Sequence, residues 1–163
     1  MRKIQLTQSY VALVDDEDYS FVNQFKWYAK IAHHKDGRIK NIYAIRNRLK
    51  NQKATSLHRL VLGIDDPQIQ VDHKDHNGLN CQKHNLRRAS NTQNQANARK
   101  RKGTASKFKG VSLIQKSWRA TIRVNKKPVH LGRFESEEQA AKAYDVEARK
   151  IYGEFAHCNF KEE

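Results

Sequence analysis

Residues 69–100 read IQVDHKDHNGLNCQKHNLRRASNTQNQANARK, and the order of their signals decides the middle of the fold. Ile69 to His73 is a short strand-like run ending in Asp72-His73. Lys74 to Lys83 is polar and holds Asn77-Gly78, a turn signal. His84 to Arg88 supplies a second short strand around Leu86. Ser90 with Gln93 matches a capping box, in which each side chain satisfies a backbone N–H of the first helical turn. A helix therefore opens at Ser90 and carries Asn94 one turn in. A β-hairpin plus helix of this size, about thirty residues, is too small to hold a core alone.

The side chains of this unit suit phosphodiester chemistry. Asp72 offers an anionic oxygen and Asn94 a neutral carbonyl oxygen, a donor pair for one Mg²⁺ or Mn²⁺ rather than a closed zinc site. His73 has the intrinsic pKa to take a proton from water near neutrality. Adjacent strand residues project to opposite sides, so Asp72 and His73 can approach a phosphate from different directions. Asn85 on the second strand is placed to hydrogen-bond across the hairpin and orient His73. A rival reading takes His73, His76, Cys81 and His84 as the ligands of a zinc knuckle, which would make the chain a zinc-stabilised nucleic-acid adaptor.

The run VDHKDHNGLNCQKHNLRRASNTQN resembles the HNH nuclease motif of phage and intron homing endonucleases. Asp72-His73 matches the first His with its preceding Asp, Asn85 matches the central Asn, and Asn94 stands where the third His would be. The upstream LHRLVLG and the strand-rich start also look like what precedes this motif in the family. The resemblance implies a ββα-metal fold. In it His73 is the general base, Asn85 orients it, and Asp72 and Asn94 bind one divalent cation.

Downstream, residues 107–163 form a separate unit. Phe108 to Ile114, Trp118 to Val124 and Val129 to Phe134 read as three strands. Ser136 with Gln139 caps a helix running to Tyr152, and Gly153 ends it. In the second strand Trp118, Ala120, Ile122 and Val124 share one face, and Arg119, Thr121 and Arg123 the other. Residues 107–133 carry eight basic side chains and no acid, whereas 134–163 carry four basic and eight acidic ones. The basic face is thus left open, and such a sheet can enter a major groove. FKGVS, SWRATIRV, VHLGRF and EEQAAKAYDVEARKIYGEFAHCNF resemble the plant ethylene-response-factor (apetala-type) DNA-binding domain. That resemblance puts Lys109, Ser112, Thr121, Arg123, His130 and Arg133 at DNA-contacting places. Ser112 and His130 replace the plant Arg and Trp, so the plant target sequence does not carry over.

Upstream, KIQLT, YVALV, Trp27 to Ile31 and Ile42 to Arg46 are β-prone, and Asp36-Gly37 marks a hairpin. Asp15 to Asp18 reads as a turn or helix start. Basic residues here, Arg46 and Arg48 among them, form either a phosphate-facing surface or a solvated sheet face. His58 and Arg59 read as structural groups or phosphate contacts. The segment RKRKGTAS, with Arg99 and Arg101, is either a tether against DNA phosphates or a plain linker.

The expected fold is α+β: a strand-rich N-terminal region, a central ββα-metal finger, and a C-terminal three-stranded antiparallel sheet packed on one helix. Four segments follow: 1–63, strand-rich and DNA-binding; 64–98, the nuclease motif; 99–106, a basic linker; and 107–163, the second DNA-binding domain. The 163 residues carry a formal charge of +15, spread over all parts, which favours a polyanionic partner. No apolar run reaches the length of a membrane span, and MRKIQLTQSY lacks the apolar core of a signal peptide. Two cysteines make no disulfide framework and fit a reducing compartment, the cytoplasm of a bacterial or phage-infected host. The expectation is a metal-dependent endonuclease acting on double-stranded DNA, monomeric or weakly dimeric, nicking or cutting both strands. A non-catalytic DNA-binding regulator is the alternative from another class.

Overall fold

The computed structural model describes residues 1–46, 54–100 and 103–161. Arg48 and Arg101, named above as DNA contacts, lie outside the described residues. The fold is α+β and divides into two compact units, Met1–Ala89 and Ser90–Glu163.

The first unit starts with an antiparallel hairpin, β1 (Arg2–Gln5) and β2 (Val11–Val14), joined by a turn in which Gln8 and Ser9 take positive φ. Alternation buries Ile4, Ala12 and Val14 on one side. Helix α1 (Asp16–Val22) follows, its first turn holding Asp16, Glu17 and Asp18, where negative charge complements the helix dipole. Strands β3 (Tyr28–His33) and β4 (Ile39–Arg46) pair antiparallel around the Asp36-Gly37 turn, and β5 (Thr55–Ser56) adds to the edge of β4. The run LHRLV, read from sequence only as apolar, forms the short helix α2 (Leu57–Val61) with Leu57 and Val61 buried. Last in this unit come β6 (Gln70–His73) and β7 (Leu86–Ala89), also antiparallel.

One core serves all of these elements. Ile4, Val14, Val22, Trp27, Ala44 and Leu57 pack with Cys81 and Leu86 of the central motif. The loop between β6 and β7 is stitched to β2: the Leu13 N–H donates to the Leu79 carbonyl and the Cys81 N–H to the Leu13 carbonyl, each at 2.8 Å. The hairpin that is too small for its own core borrows this one.

The second unit begins with α3 (Asn91–Asn97), opened by the Ser90/Gln93 capping box. Strands β8 (Val111–Ile114), β9 (Ser117–Val124) and β10 (Lys127–Phe134) form an antiparallel sheet in the order β10-β9-β8. The 16-residue helix α4 (Glu137–Tyr152) packs on it, opened by Ser136 and Gln139. Ala140, Ala141, Tyr144 and Ala148 face the sheet, and Ala120 and Ile122 of β9 answer them. Gly110 has φ +78°, and a Cβ there would lie 2.0 Å from the Tyr144 ring, so the position demands glycine. Buried Asp145 accepts from the backbone N–H groups of Asn159 and Phe160, and so fastens the chain beyond the helix. Among the described residues no helix is long and apolar enough to cross a membrane.

Candidate functional site

The register of the β6–β7 hairpin sets Asp72 opposite Arg87 and His73 opposite Leu86. Asp72, His73 and Asn85 are buried, at 4, 7 and 4% exposure, an unusual concentration of polar groups for a short hairpin. The loop that joins the strands is closed by its own short polar side chains. Asp75 accepts from the Asn77 N–H at 2.8 Å and from Asn80 Nδ2 at 2.8 Å, and Asn77 accepts from the Leu79 N–H at 3.1 Å. Such Asx contacts fix a turn without regular structure. Gly78 sits so close to β4 that a Cβ would meet the Ile42 carbonyl at 2.4 Å and the Tyr43 ring at 2.7 Å.

Asn85 is the staple of this loop. Its Nδ2 donates to Asp75 Oδ1 at 3.0 Å and to the Asn80 carbonyl at 2.9 Å, while its Oδ1 accepts from the Asp75 N–H at 3.1 Å. Its side-chain partners are thus the loop after His73, not the imidazole. The physical reason is position: Asn85 precedes β7, opposite the loop start, where the Lys74 N–H also donates to its carbonyl at 3.0 Å.

Asp72 forms a buried ion pair with Arg87, Nε to Oδ2 at 2.8 Å and Nη2 to Oδ2 at 2.7 Å. Beside it two rings close on His73. His58 of α2 stands edge-on at 5.1 Å between centroids, Tyr43 of β4 lies 6.0 Å away, and Tyr43 and His58 are 5.7 Å apart. Burial pushes the His73 imidazole below its ordinary pKa, with Asp75 and Asp72 opposing the shift. Burial, then His73 and Arg59, push His58 down to about 3. Burial and the Asp72 carboxylate push the Tyr43 phenol up. Both histidines are thereby held neutral near pH 7. Arg59 is structural: its guanidinium donates to the Ile69 and Asp66 carbonyls, both at 2.7 Å.

The zinc-knuckle grouping does not assemble among the described residues, where no cluster of three or more His, Cys, Asp or Glu forms a metal site. Cys81 is fully buried in the apolar core, its thiol pushed up to about 12 by burial and by Asp75. A thiol this hard to ionise is a poor metal ligand. Asn94 sits in the first turns of α3, which belongs to the second unit, and its N–H donates to the Ser90 carbonyl at 3.0 Å.

In the second unit the strand register gathers the sheet residues. Arg119 faces Ser112 on one side and Arg133 on the other, and Thr121 faces His130. Cross-strand partners share a face, so these five and Arg123 lie on the side away from α4. Arg123, His130 and Arg133 are exposed, while Arg119 keeps a buried Nε without a hydrogen-bond partner among the described residues. Lys109 is placed differently: its ammonium donates to the Ala96 carbonyl, and burial lowers its pKa to about 8. Arg99 is exposed just after α3, and Arg46 ends β4 in the first unit.

No family model matches the chain. An uncharacterized HNH endonuclease of Acanthamoeba polyphaga mimivirus is 33% identical over 151 residues, 91% of this chain and 74% of that protein. The chain belongs to the HNH endonuclease family. An ethylene-responsive transcription factor-like protein of Arabidopsis thaliana is 47% identical over 38 residues, 23% of this chain and 17% of its own length.

In this HNH family member Asp72 and His73 end β6. The fold sets Arg87, Tyr43 and His58 beside them, none of which the sequence reading placed at this centre. Arg87 was hidden as one of two adjacent arginines, and only strand register tells which of them meets Asp72. Tyr43 lies 30 residues before His73, in a strand whose two faces looked alike. His58 carried a signal, a histidine at the start of an apolar run, but the signal does not say which ring it meets. The acidic patch also has a use beyond α1: Asp15 accepts from Gln82 Nε2 at 3.0 Å and from the Lys83 N–H at 2.7 Å, clasping the return of the loop.

Proposed function

We propose that the chain is a metal-dependent DNA endonuclease in which His73 is the general base. The observation that carries this reading is the buried setting of His73, held neutral between Asp72 with its Arg87 partner and the rings of His58 and Tyr43. A neutral imidazole at pH 7 can accept a proton from water, and rings packed on two sides leave it little room to turn. In the hydrolysis, water adds to phosphorus as its proton passes to His73, and a P–O bond of the backbone breaks to leave a phosphate monoester and an alkoxide, which takes a proton from solvent to become the alcohol. Arg87 holds the Asp72 carboxylate in orientation. Asn85 fixes the loop after His73, and so acts on the base through the backbone.

Asp72 and Asn94 are the residues that would hold one Mg²⁺ or Mn²⁺. The donor set fits a hard cation, because both donors are oxygens, one of them an anionic carboxylate. When bound, the ion supplies charge neutralisation at the leaving oxygen. In this reading residues 64–98 cut, residues 1–63 and 107–163 hold double-stranded DNA, and 99–106 links them. On the sheet, Ser112, Arg119, Thr121, Arg123, His130 and Arg133 are the DNA-facing set, with Arg46 and Arg99 as backbone contacts.

The test is relaxation of supercoiled plasmid with Mg²⁺ or Mn²⁺, with and without EDTA. Metal-dependent cutting lost in His73→Ala is the expected result. Supercoiled DNA left intact by the wild type across metals and a substrate library would make the chain a non-catalytic DNA-binding regulator.

A further inference from the structure

Away from the candidate centre, the first unit holds a half-open cavity of about 400 Å³, within the size range of small-ligand sites, about 300–1,000 Å³. It lies where the Thr7 turn and the end of α1 meet β3 and β4, and Phe25, Lys26, Trp27, Tyr28 and Arg46 line it. Trp27 is part of the floor, its indole N–H satisfied by the Val22 carbonyl at 2.9 Å. Phe25 and Tyr28 are half-buried, so their rings present surface without being sealed in the core. The Arg46 guanidinium lies 4.0 Å over the Phe25 ring. Its Nη1 is buried and has no hydrogen-bond acceptor among the described residues.

These features specify a ligand. A buried guanidinium N–H without an acceptor is a donor that the fold leaves unmet, and Arg satisfies such donors best on phosphate or carboxylate. Two cations and no acid are among the described lining residues, so the ligand is anionic. The aromatic lining asks for a flat, weakly polar partner, and a nucleotide has both parts. Duplex DNA offers its bases only edge-on, whereas an unpaired strand offers their faces. We propose that this cavity takes one unstacked nucleotide of a single-stranded DNA segment, its base against Phe25 and Tyr28 and its phosphate on Arg46 and Lys26. The inference rests on the nuclease reading for one point, that the polyanion is DNA. The cavity's chemistry stands apart from the cutting step.

The test uses the full chain in EDTA, so that no cutting occurs, with a short single-stranded oligonucleotide carrying 5-iodouracil. Irradiation should join the base to Phe25 or Tyr28, located by peptide mapping. Arg46→Gln should weaken binding of the single strand about tenfold, the scale of one lost stacked and ion-paired nucleotide. Lys26 is exposed, so Lys26→Gln leaves the fold alone, and it should weaken binding about threefold. Cross-links that map only elsewhere, or wild-type affinity in both variants, would overturn the proposal. Plasmid cutting with Mg²⁺ is read separately on the same proteins. A wild-type chain that cross-links but does not cut tells against the nuclease reading alone, and one that cuts without the cross-link tells against the cavity alone.

Discussion

The β6–β7 hairpin and the β8–β10 sheet both present polar side chains from antiparallel strands, and they do so in opposite ways. The hairpin strands are four residues each, and they bury Asp72 and His73, with Asp72 tied to Arg87 of the facing strand. The sheet has two eight-residue strands, its own helix to cover its apolar face, and basic groups left open to solvent. The proposed proton transfer needs atoms held in place, and burial with a buried ion pair supplies that. A surface that meets phosphates needs reach and charge, and exposure supplies those. Substitutions in the hairpin should therefore act steeply on chemistry or folding, and those in the sheet shallowly on affinity.

The largest effect expected is on cutting. His73→Ala should lower the cleavage rate by about 10³-fold, within the usual range for a general base, while gel-shift affinity stays at wild type. Equal losses in binding and cutting would erase the contrast between the two regions. Next is Arg87→Leu, which leaves the buried Asp72 carboxylate without its Arg87 partner. It should cost about 3 kcal/mol in urea unfolding of the first unit. A change near zero would mean that Asp72 is better solvated than its burial implies.

The third prediction concerns pH. His58, at about 3 in the folded chain against an ordinary 6.5, binds fewer protons folded than unfolded. Its contribution to stability is complete above pH 6.5 and is lost as pH falls toward 3. His58→Phe should flatten the melting temperature over that window, and an unchanged slope would place the acid sensitivity elsewhere. The smallest effect belongs to the sheet. Arg123→Ala should weaken DNA binding several-fold, and a lost phosphate contact would lower the salt slope by about 1, with the cleavage rate at saturating DNA unchanged. A large loss of cutting at saturation would show that the sheet does more than hold DNA.

The sequence was most legible where one local rule acts alone. Ser90/Gln93 and Ser136/Gln139 form the capping boxes that their spacing announces, and the β9 alternation sorts Ala120 and Ile122 from Arg119 and Arg123. It was least legible where partners are far apart in the chain. Asp15 clasps Lys83, and Leu13 bridges to Leu79 and Cys81, contacts that no local period encodes. In the same way, the pairing of His73 with His58 and Tyr43 follows from the packing of α2 and β4, not from motif spacing. Asn85 shows a third case: its motif position was evident, but only the loop geometry directs it to Asp75 and Asn80.

The stitching of the hairpin loop to β2 bears on how the chain is made. Domains fold as units during synthesis, N-terminal first. Ile4 and Val14 emerge early, yet their core is complete only when Cys81 and Leu86 have left the ribosome. The last residues to close the first unit are thus those beside His73, and a nascent chain stalled before Leu86 has neither a finished core nor the strand that pairs with His73. Completion of that core and of the packing around His73 therefore falls at the same point of translation.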